Sequence, residues 1–225
     1  MCHNCGDIVF TMKVTKLGHS CVLVEVDEGR LLVDPGNLSI AQHQDLRDID
    51  LILYTHEHGD HLHIDSLQIL LVHNPEAVIV CNQGVGAQLA AADIAYQVLA
   101  GQDEAVVAGI LLRAHDCAHA EIFEDFGQVP HTGYLVAGRL YLPGDSYQVP
   151  DWPVEILAPA IVAPFAPIRD VTRFIQAVQP QTVLTMHDGQ LNEHGLNTWY
   201  GLLERLLVDE VVEFVRFPTG REWCG

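Results

Sequence analysis

Hydrophobic positions along the 225-residue chain fall into short runs with two different periods. Val22, Val24 and Val26 alternate with Cys21, Leu23 and Glu25, the period-two pattern of a strand. Val14 to Leu17 reads as the strand before it. Leu31 to Val33 reads as the return strand after a turn at Asp27-Glu28-Gly29-Arg30. Leu51 to Tyr54 and Ala77 to Cys81 are unbroken apolar runs, which predict buried strands. Helical spacing appears at Ile64, Leu67 and Leu71, stopped by Asn74-Pro75, and more weakly from Val85 to Ala92. It returns at Val171, Phe174, Ile175 and Val178, ending at Gln179-Pro180, and again at Leu196, Trp199, Leu203, Leu206 and Leu207. Residues 96 to 113, broken by Gly101 and Gly109, predict successive strands of a meander. Tyr134 to Ala137 and Leu140 to Leu142 flank Gly138-Arg139, read as a two-residue hairpin turn. Glu155 to Ala166 is apolar and proline-punctuated, giving two short strands or a strand and a loop. Thr182 to Thr185 is a further strand, and Val211 to Phe217 a closing one.

Length and composition allow one well-buried domain, or two half-domains sharing a core, since 49% of residues are hydrophobic. No apolar run approaches the roughly 18 to 20 residues of a membrane span. The opening Met-Cys-His-Asn-Cys-Gly-Asp has neither a basic region nor an apolar core, so a cytoplasmic location is the expectation. Eleven basic residues against 30 acidic ones give a net charge of −19. Such a field repels nucleic acid and anionic membrane, which leaves a small molecule as the expected partner, with room for a homo-oligomer. Six cysteines stand at 2, 5, 21, 81, 117 and 224. Cys21 and Cys81 lie in apolar runs and read as inert core residues. Cys2-x-x-Cys5 has metal or redox spacing, but no second pair accompanies it.

The densest chemistry is Thr55-His-Glu-His-Gly-Asp-His61, directly after an apolar strand. In extended chain, residues two apart face the same side, so His56 and His58 can bind one ion together. Asp60 and His61 follow Gly59, where the chain can turn, and can face a second ion. Neutral imidazole and carboxylate suit zinc, and also iron or manganese. The plain alternative is a solvated histidine-rich loop, though loops are seldom so rich in ligands.

His-x-His-x-Asp-His after a buried strand resembles the signature of the metallo-β-lactamase superfamily. That resemblance implies an α+β fold, a four-layer αββα sandwich with one or two metals at its edge, and in most members hydrolysis. Gly18-His19-Ser20 and Asp34-Pro35-Gly36 resemble landmarks of one branch, the hydrolases related to bacterial L-ascorbate-6-phosphate lactonase. The likeness suggests that Asp34 orients a metal-binding histidine, and that His19 lines the site or sits in the core beside it. That branch carries a third metal histidine which His119-Ala-Glu-Ile122 matches better than His115-Asp-Cys117, leaving His115 as the alternate. His131, in Pro130-His-Thr-Gly133, reads as surface-exposed. It also resembles the His-Thr-x-Gly of glyoxalase-type relatives, which makes it another candidate. Gly144-Asp145 after the hairpin resembles the superfamily's metal-bridging aspartate, and His187 at the end of a strand its last metal histidine. Relatives often have a histidine where Leu142 stands here. His56, Asp145 and His187 each follow a predicted strand, and His119 a probable one, as sites positioned by a rigid sheet do. The resemblance covers about residues 12 to 208, so 12–225 reads as one domain and 1–11 as an N-terminal extension.

The resemblance therefore implies two divalent transition-metal ions, zinc first, with manganese or iron as alternatives. His56, His58 and His119 would hold one ion, Asp60, His61 and His187 the other, and Asp145 both. Asp60 and Asp145 would be the catalytic carboxylates. A water shared by two dications falls in pKa from 15.7 toward about 7, giving a hydroxide that attacks an ester, lactone or phosphodiester. No serine or cysteine nucleophile is then needed, so Ser20, Cys21 and Ser146 are not assigned that role. An iron redox relative would carry Glu at the second ligand position, where this chain has His58. The alternative is a metal-binding relative without turnover, acting in sensing or assembly.

Overall fold

A computed structural model describes residues 12–225; Cys2 and Cys5 lie outside the described residues. The chain forms β1 (Lys13–Gly18), β2 (Cys21–Val26), β3 (Gly29–Val33), α1 (Ile40–His43), β4 (Leu51–Leu53), α2 (Ile64–His73), β5 (Val78–Cys81), α3 (Gln83–Ala91) and β6 (Gln97–Val98). It continues through β7 (Glu104–Val107), β8 (Ile110–Asp116), β9 (Thr132–Val136), β10 (Leu140–Leu142), β11 (Ile156–Leu157), α4 (Ile168–Val178), β12 (Thr182–Leu184), α5 (Glu193–Leu206), β13 (Glu213–Val215) and β14 (Glu222–Cys224).

Two seven-stranded sheets result, in the orders β14-β1-β2-β3-β4-β5-β6 and β13-β12-β11-β10-β9-β8-β7. Each sheet combines an antiparallel meander with a parallel flank. The architecture thus repeats between the halves although the sequence shows no repeat. Period-two alternation explains the layering, because it sends successive side chains to opposite faces. Val22, Val24, Leu51 and Leu53 join the core between the sheets, with Leu112, Val136, Leu140 and Leu184 from the second sheet. Their neighbours Leu23 and Ile52 point outward, under Leu67, Leu70, Val85 and Leu89 of α2 and α3. On the far side, Leu135, Leu157 and Val183 pack under Val171, Phe174, Ile175 and Leu203 of α4 and α5. The layers run helix, sheet, sheet, helix, and the fold class is α+β. No helix among the described residues is long and apolar enough to cross a membrane.

Four local expectations need correction. Residues 96–113 are not one meander: β6 pairs with β5 in the first sheet, whereas β7 and β8 form a hairpin in the second. The chain crosses between sheets near Gly101, whose φ of 73° suits glycine. The β9–β10 turn sits one residue earlier than Gly138-Arg139. Ala137 and Gly138 take φ values of 50° and 69°, and the Arg139 amide donates to the Val136 carbonyl at 3.0 Å. The run from Val211 shortens to β13. Finally, β14 closes the first sheet against β1 and carries no sequence signal of its own.

Candidate metal centre

The site lies where one edge of each sheet meets the other. β8 and β10 are both antiparallel to β9, and β10, β11 and β12 run parallel, so β8, β10 and β12 all point the same way. Their ends therefore share one sheet edge. His119, Asp145 and His187 each stand three residues past such an end, and His56 stands three residues past β4. Strand direction, rather than proximity in sequence, gathers these groups.

Asp145 is at the centre and is buried. Its carboxylate oxygens lie 3.3 Å from His61 Nε2 and from His187 Nε2, 3.5 Å from His119 Nε2 and 3.6 Å from His56 Nε2. The opposite nitrogen of each ring is fixed by an acceptor. His61 Nδ1 donates to Asp34 Oδ2 at 2.9 Å, His119 Nδ1 to the Ala120 carbonyl at 2.7 Å, and His187 Nδ1 to the Val162 carbonyl at 2.7 Å. Thr55 Oγ1 gives its proton to Asp34 Oδ2 at 2.7 Å, so it accepts from His56 Nδ1 at 3.0 Å. Carbonyl and carboxylate oxygens only accept, which places the hydrogen on Nδ1 and leaves the Nε2 lone pairs facing Asp145.

That arrangement sets acceptors against an acceptor. His61 Nε2, His119 Nε2, His187 Nε2 and Asp145 Oδ1 are buried without a hydrogen-bond partner among the described residues. Each such group costs about 1–3 kcal/mol when left unsatisfied. Divalent cations in adjacent sets would satisfy them, and neutral imidazole with carboxylate is a donor set that zinc, manganese and iron accept. The groups fit a metal. A proton and a metal compete for the same lone pairs: with no metal bound, burial opposes charge on His187, but Asp145 outweighs it and raises the ring to about 9. His61 is likewise held well above the usual range by Asp145 and Asp34, against the cost of burial. For Asp145, burial is outweighed by His187 and His61, and its carboxyl sits well below the ordinary range.

Three sets of donors come together, the atoms of each within 4.8 Å of one another: His56, His58, His119 and Asp145; His61, Asp145 and His187; and His19, Asp60 and His187. The first set has the members read from the sequence, Asp145 included. The second differs in detail, since Asp60 and His61 fall in different sets that share His187. Asp60 Oδ2 lies 3.3 Å from His187 Nε2 and 3.2 Å from His19 Nε2. His19 Nδ1 accepts the Gly189 amide at 3.1 Å, so its Nε2 carries the proton and donates to Asp60. Asp34 is fully engaged, accepting the Thr55 amide at 2.8 Å as well as Thr55 Oγ1 and His61. His19, Asp34 and His187 all take left-handed backbone, with φ of 38°, 46° and 63°. Such strain persists only where the surroundings over-determine it, and it clusters at sites.

The other candidate histidines are placed elsewhere. His115 lies within β8 and bonds Tyr141 Oη at 2.8 Å, outside every donor set. His131 is buried at 4% exposure, contrary to the surface expectation. Its Nε2 accepts the Asp145 amide at 3.0 Å, so the lone pair that a metal would need is engaged. His63 caps α2 by accepting the Ser66 amide. Two features escaped the sequence reading. Thr55 links Asp34 to His56, and only its place at the head of the motif hints at this. Gly59 does stand in a turn, closed by the His61 amide on the His58 carbonyl at 2.9 Å, but the tight approach that the sequence did not reveal is at Gly36. A Cβ there would lie 2.0 Å from the Asp60 carbonyl oxygen.

A family model described as a beta-lactamase superfamily domain matches residues 13–187, a span that includes every residue of the centre. The chain belongs to the beta-lactamase superfamily. This superfamily member is 32% identical to Protein Rv0786c of Mycobacterium tuberculosis over 200 residues, 87% of this chain and 92% of that protein. It is 28% identical to the UPF0173 metal-dependent hydrolase MK1542 of Methanopyrus kandleri over 198 residues, 79% and 84% of the two chains. Among solved structures, the metallo-beta-lactamase fold protein YhfI from Bacillus subtilis superposes with a TM-score of 0.73 at 14% identity, covering 96% of this chain and 100% of that one. The superfamily member thus has the metallo-β-lactamase fold.

Proposed function

We propose that the protein is a metal-dependent hydrolase acting on an ester, lactone or phosphodiester bond of a small molecule. The observation that carries this is the convergence of uncommitted, buried imidazole nitrogens on Asp145, each ring fixed from behind by an acceptor. Relatives named metal-dependent hydrolases support the reaction type. His56, His58 and His119 would hold one ion and Asp60, His61 and His187 the second, with Asp145 between them. Bound divalent ions, zinc first and manganese or iron as alternatives, supply an acidified water and positive charge for a developing oxyanion.

The chain's own residues do the positioning. Asp34 fixes the tautomer and ring plane of His61 directly and those of His56 through Thr55, a partnership that raises ligand basicity. His131 holds the Asp145 backbone from behind. Asp60 is ionised: burial raises its carboxyl, but the neighbouring His187 and His19 outweigh that and bring it far below the usual range. Its side chain is 24% exposed, so its carboxylate can accept a hydrogen bond from an incoming water and orient it. The likeness to the sugar-lactonase branch favours a lactone or ester.

The test is a panel of generic esters, lactones and phosphodiesters, run on reconstituted protein alongside elemental analysis. Turnover of one class with metal bound supports the reading. Metal bound without turnover on any of them would favour the sensing or assembly role.

A further inference from the structure

A cleft of about 590 Å³ opens beside His119, between α4 and the segments that follow β8 and β10. Its position makes it the place for whatever part of a ligand does not react. Ile122, Tyr147, Phe165 and Phe174 give it apolar walls. The Phe165 ring sits 5.0 Å from His119 and 5.7 Å from His187, so it joins the cleft to both sides of the metal centre. Tyr147 Oη donates to the Ala160 carbonyl at 2.9 Å, which leaves the ring as the face presented.

The polar groups of the wall are unevenly committed. Both oxygens of Asp170 are taken by Arg169, at 2.7 and 2.9 Å. Glu121 accepts the Glu124 amide at 3.2 Å, and Gln148 Oε1 accepts the Ala118 amide at 3.2 Å. Arg173 lines the same cleft; its electrostatic neighbour is Asp170, whose oxygens Arg169 already holds, and no hydrogen bond or close ion pair among the described residues engages the guanidinium. The open donors are the Arg173 guanidinium and the Gln148 amide nitrogen, beside one remaining oxygen of Glu121. A ligand that completes this wall brings acceptor oxygens and negative charge at one end and an apolar body at the other. Guanidinium is matched in shape to carboxylate and phosphate, which it can bind through two parallel hydrogen bonds.

We infer that this cleft binds the non-reacting part of the substrate, and that this part is an apolar body carrying an anionic group held by Arg173. The word substrate rests on the hydrolase reading above; the binding does not. Because the chain carries a net charge of −19, its overall field opposes anions, so Arg173, the one Arg or Lys among the described residues lining the cleft, must hold the anion against that field and against Glu121.

The test is calorimetric binding of three probes to the full, metal-reconstituted chain: 3-phenylpropionate, 2-phenylethyl phosphate and the neutral 3-phenylpropanamide. The propionate and phosphate arms separate the two anion chemistries. At least one anion should bind about tenfold or more tighter than the amide, as charge-assisted hydrogen bonds imply. Arg173→Ala should remove that advantage and Arg173→Glu reverse it, with metal content unchanged and amide binding as before. Ile122→Ser should weaken anion and amide alike. Anions that bind no better than the amide, or equally well to Arg173→Ala, would overturn the inference, the latter by placing the anion on the metals. If nothing on the hydrolysis panel is turned over while Arg173-dependent binding persists, the hydrolase reading fails and the cleft assignment stands. Turnover with an anion preference that ignores Arg173→Ala gives the reverse.

Discussion

The two halves of the sandwich bring donors to Asp145 in different ways. The first half supplies His56, His58, Asp60 and His61 from a single loop after β4. The second supplies His119, Asp145 and His187 from three alternate strands of one sheet, each a single residue on its own loop. In the first half, local spacing already fixes which groups can meet. In the second, only the common direction of β8, β10 and β12 does so, and a shift in any one strand would misplace its ligand. The first half is also braced by one buried carboxylate, Asp34, whereas the second relies on backbone carbonyls of Ala120 and Val162.

Asp145 is where the halves meet, so its loss should have the largest effect. Asp145→Asn keeps the size and removes the charge that, on the proposed reading, would screen two cations from each other. Activity on the substrate found by the panel should fall by more than the roughly 10–100-fold typical of an outer partner, with the fold intact by circular dichroism. If Asp145 only ordered the Pro143-Gly144 turn, the variant would lose about 1 kcal/mol of stability and little activity.

Next come the histidines of the second half. His119→Ala should weaken metal binding most in a competitive chelator titration. His131→Ala should follow, because it releases the Asp145 amide, and His115→Ala should change least. An order led by His115 would contradict the role given to strand ends.

The brace of the first half gives a smaller effect. Asp34→Asn leaves a hydrogen-bonding group in place but weakens its hold on His61 and Thr55, so metal affinity should fall roughly 10–100-fold. A matching loss at His187, which has no carboxylate on Nδ1, would blur the contrast between the halves.

The smallest effect lies away from the centre, at His43. Burial lowers this ring to about 4, and its partners are Ser39 and Ser66. Between about pH 6.5 and 4 the unfolded chain carries a proton on His43 that the folded chain does not. Stability is therefore full above that window and is lost as pH falls through it, by up to about 1.4 kcal/mol per pH unit. His43→Gln should flatten the acid limb of a urea-denaturation series by that amount. An unchanged limb would show that His43 titrates normally.

The same contrast explains what could be read from the sequence. The loop from Thr55 to His61 announces itself because spacing, residue type and the preceding strand agree within a dozen residues. Individual strands and helices are legible in the alternation of Val22 to Val26 and in the helical stripes of α2, α4 and α5, while the sandwich is what the resemblance carried by His56 to His61 implies. Choosing among His115, His119 and His131 was harder, since all three have the right chemistry and differ only in tertiary placement. His115 lies inside β8 against Tyr141, while His119 is past its end; spacing alone does not reveal where the strand stops. His131 looked like a surface residue because nothing local shows that its lone pair meets an amide 14 positions away. The short β14 and the crossing after β6 depend on long-range pairing in the same way. The turn at Gly59 is legible locally, whereas the close approach of Gly36 to Asp60 is a property of two loops together.

The central claim is that these side chains hold metal around Asp145, and metal stoichiometry tests it most directly. Protein purified without chelator, reconstituted with zinc, desalted and analysed by mass spectrometry for metal should carry two ions per chain. Asp145→Asn handled identically should carry fewer. Wild-type protein that retains no transition metal after reconstitution with zinc, manganese or iron would contradict the account.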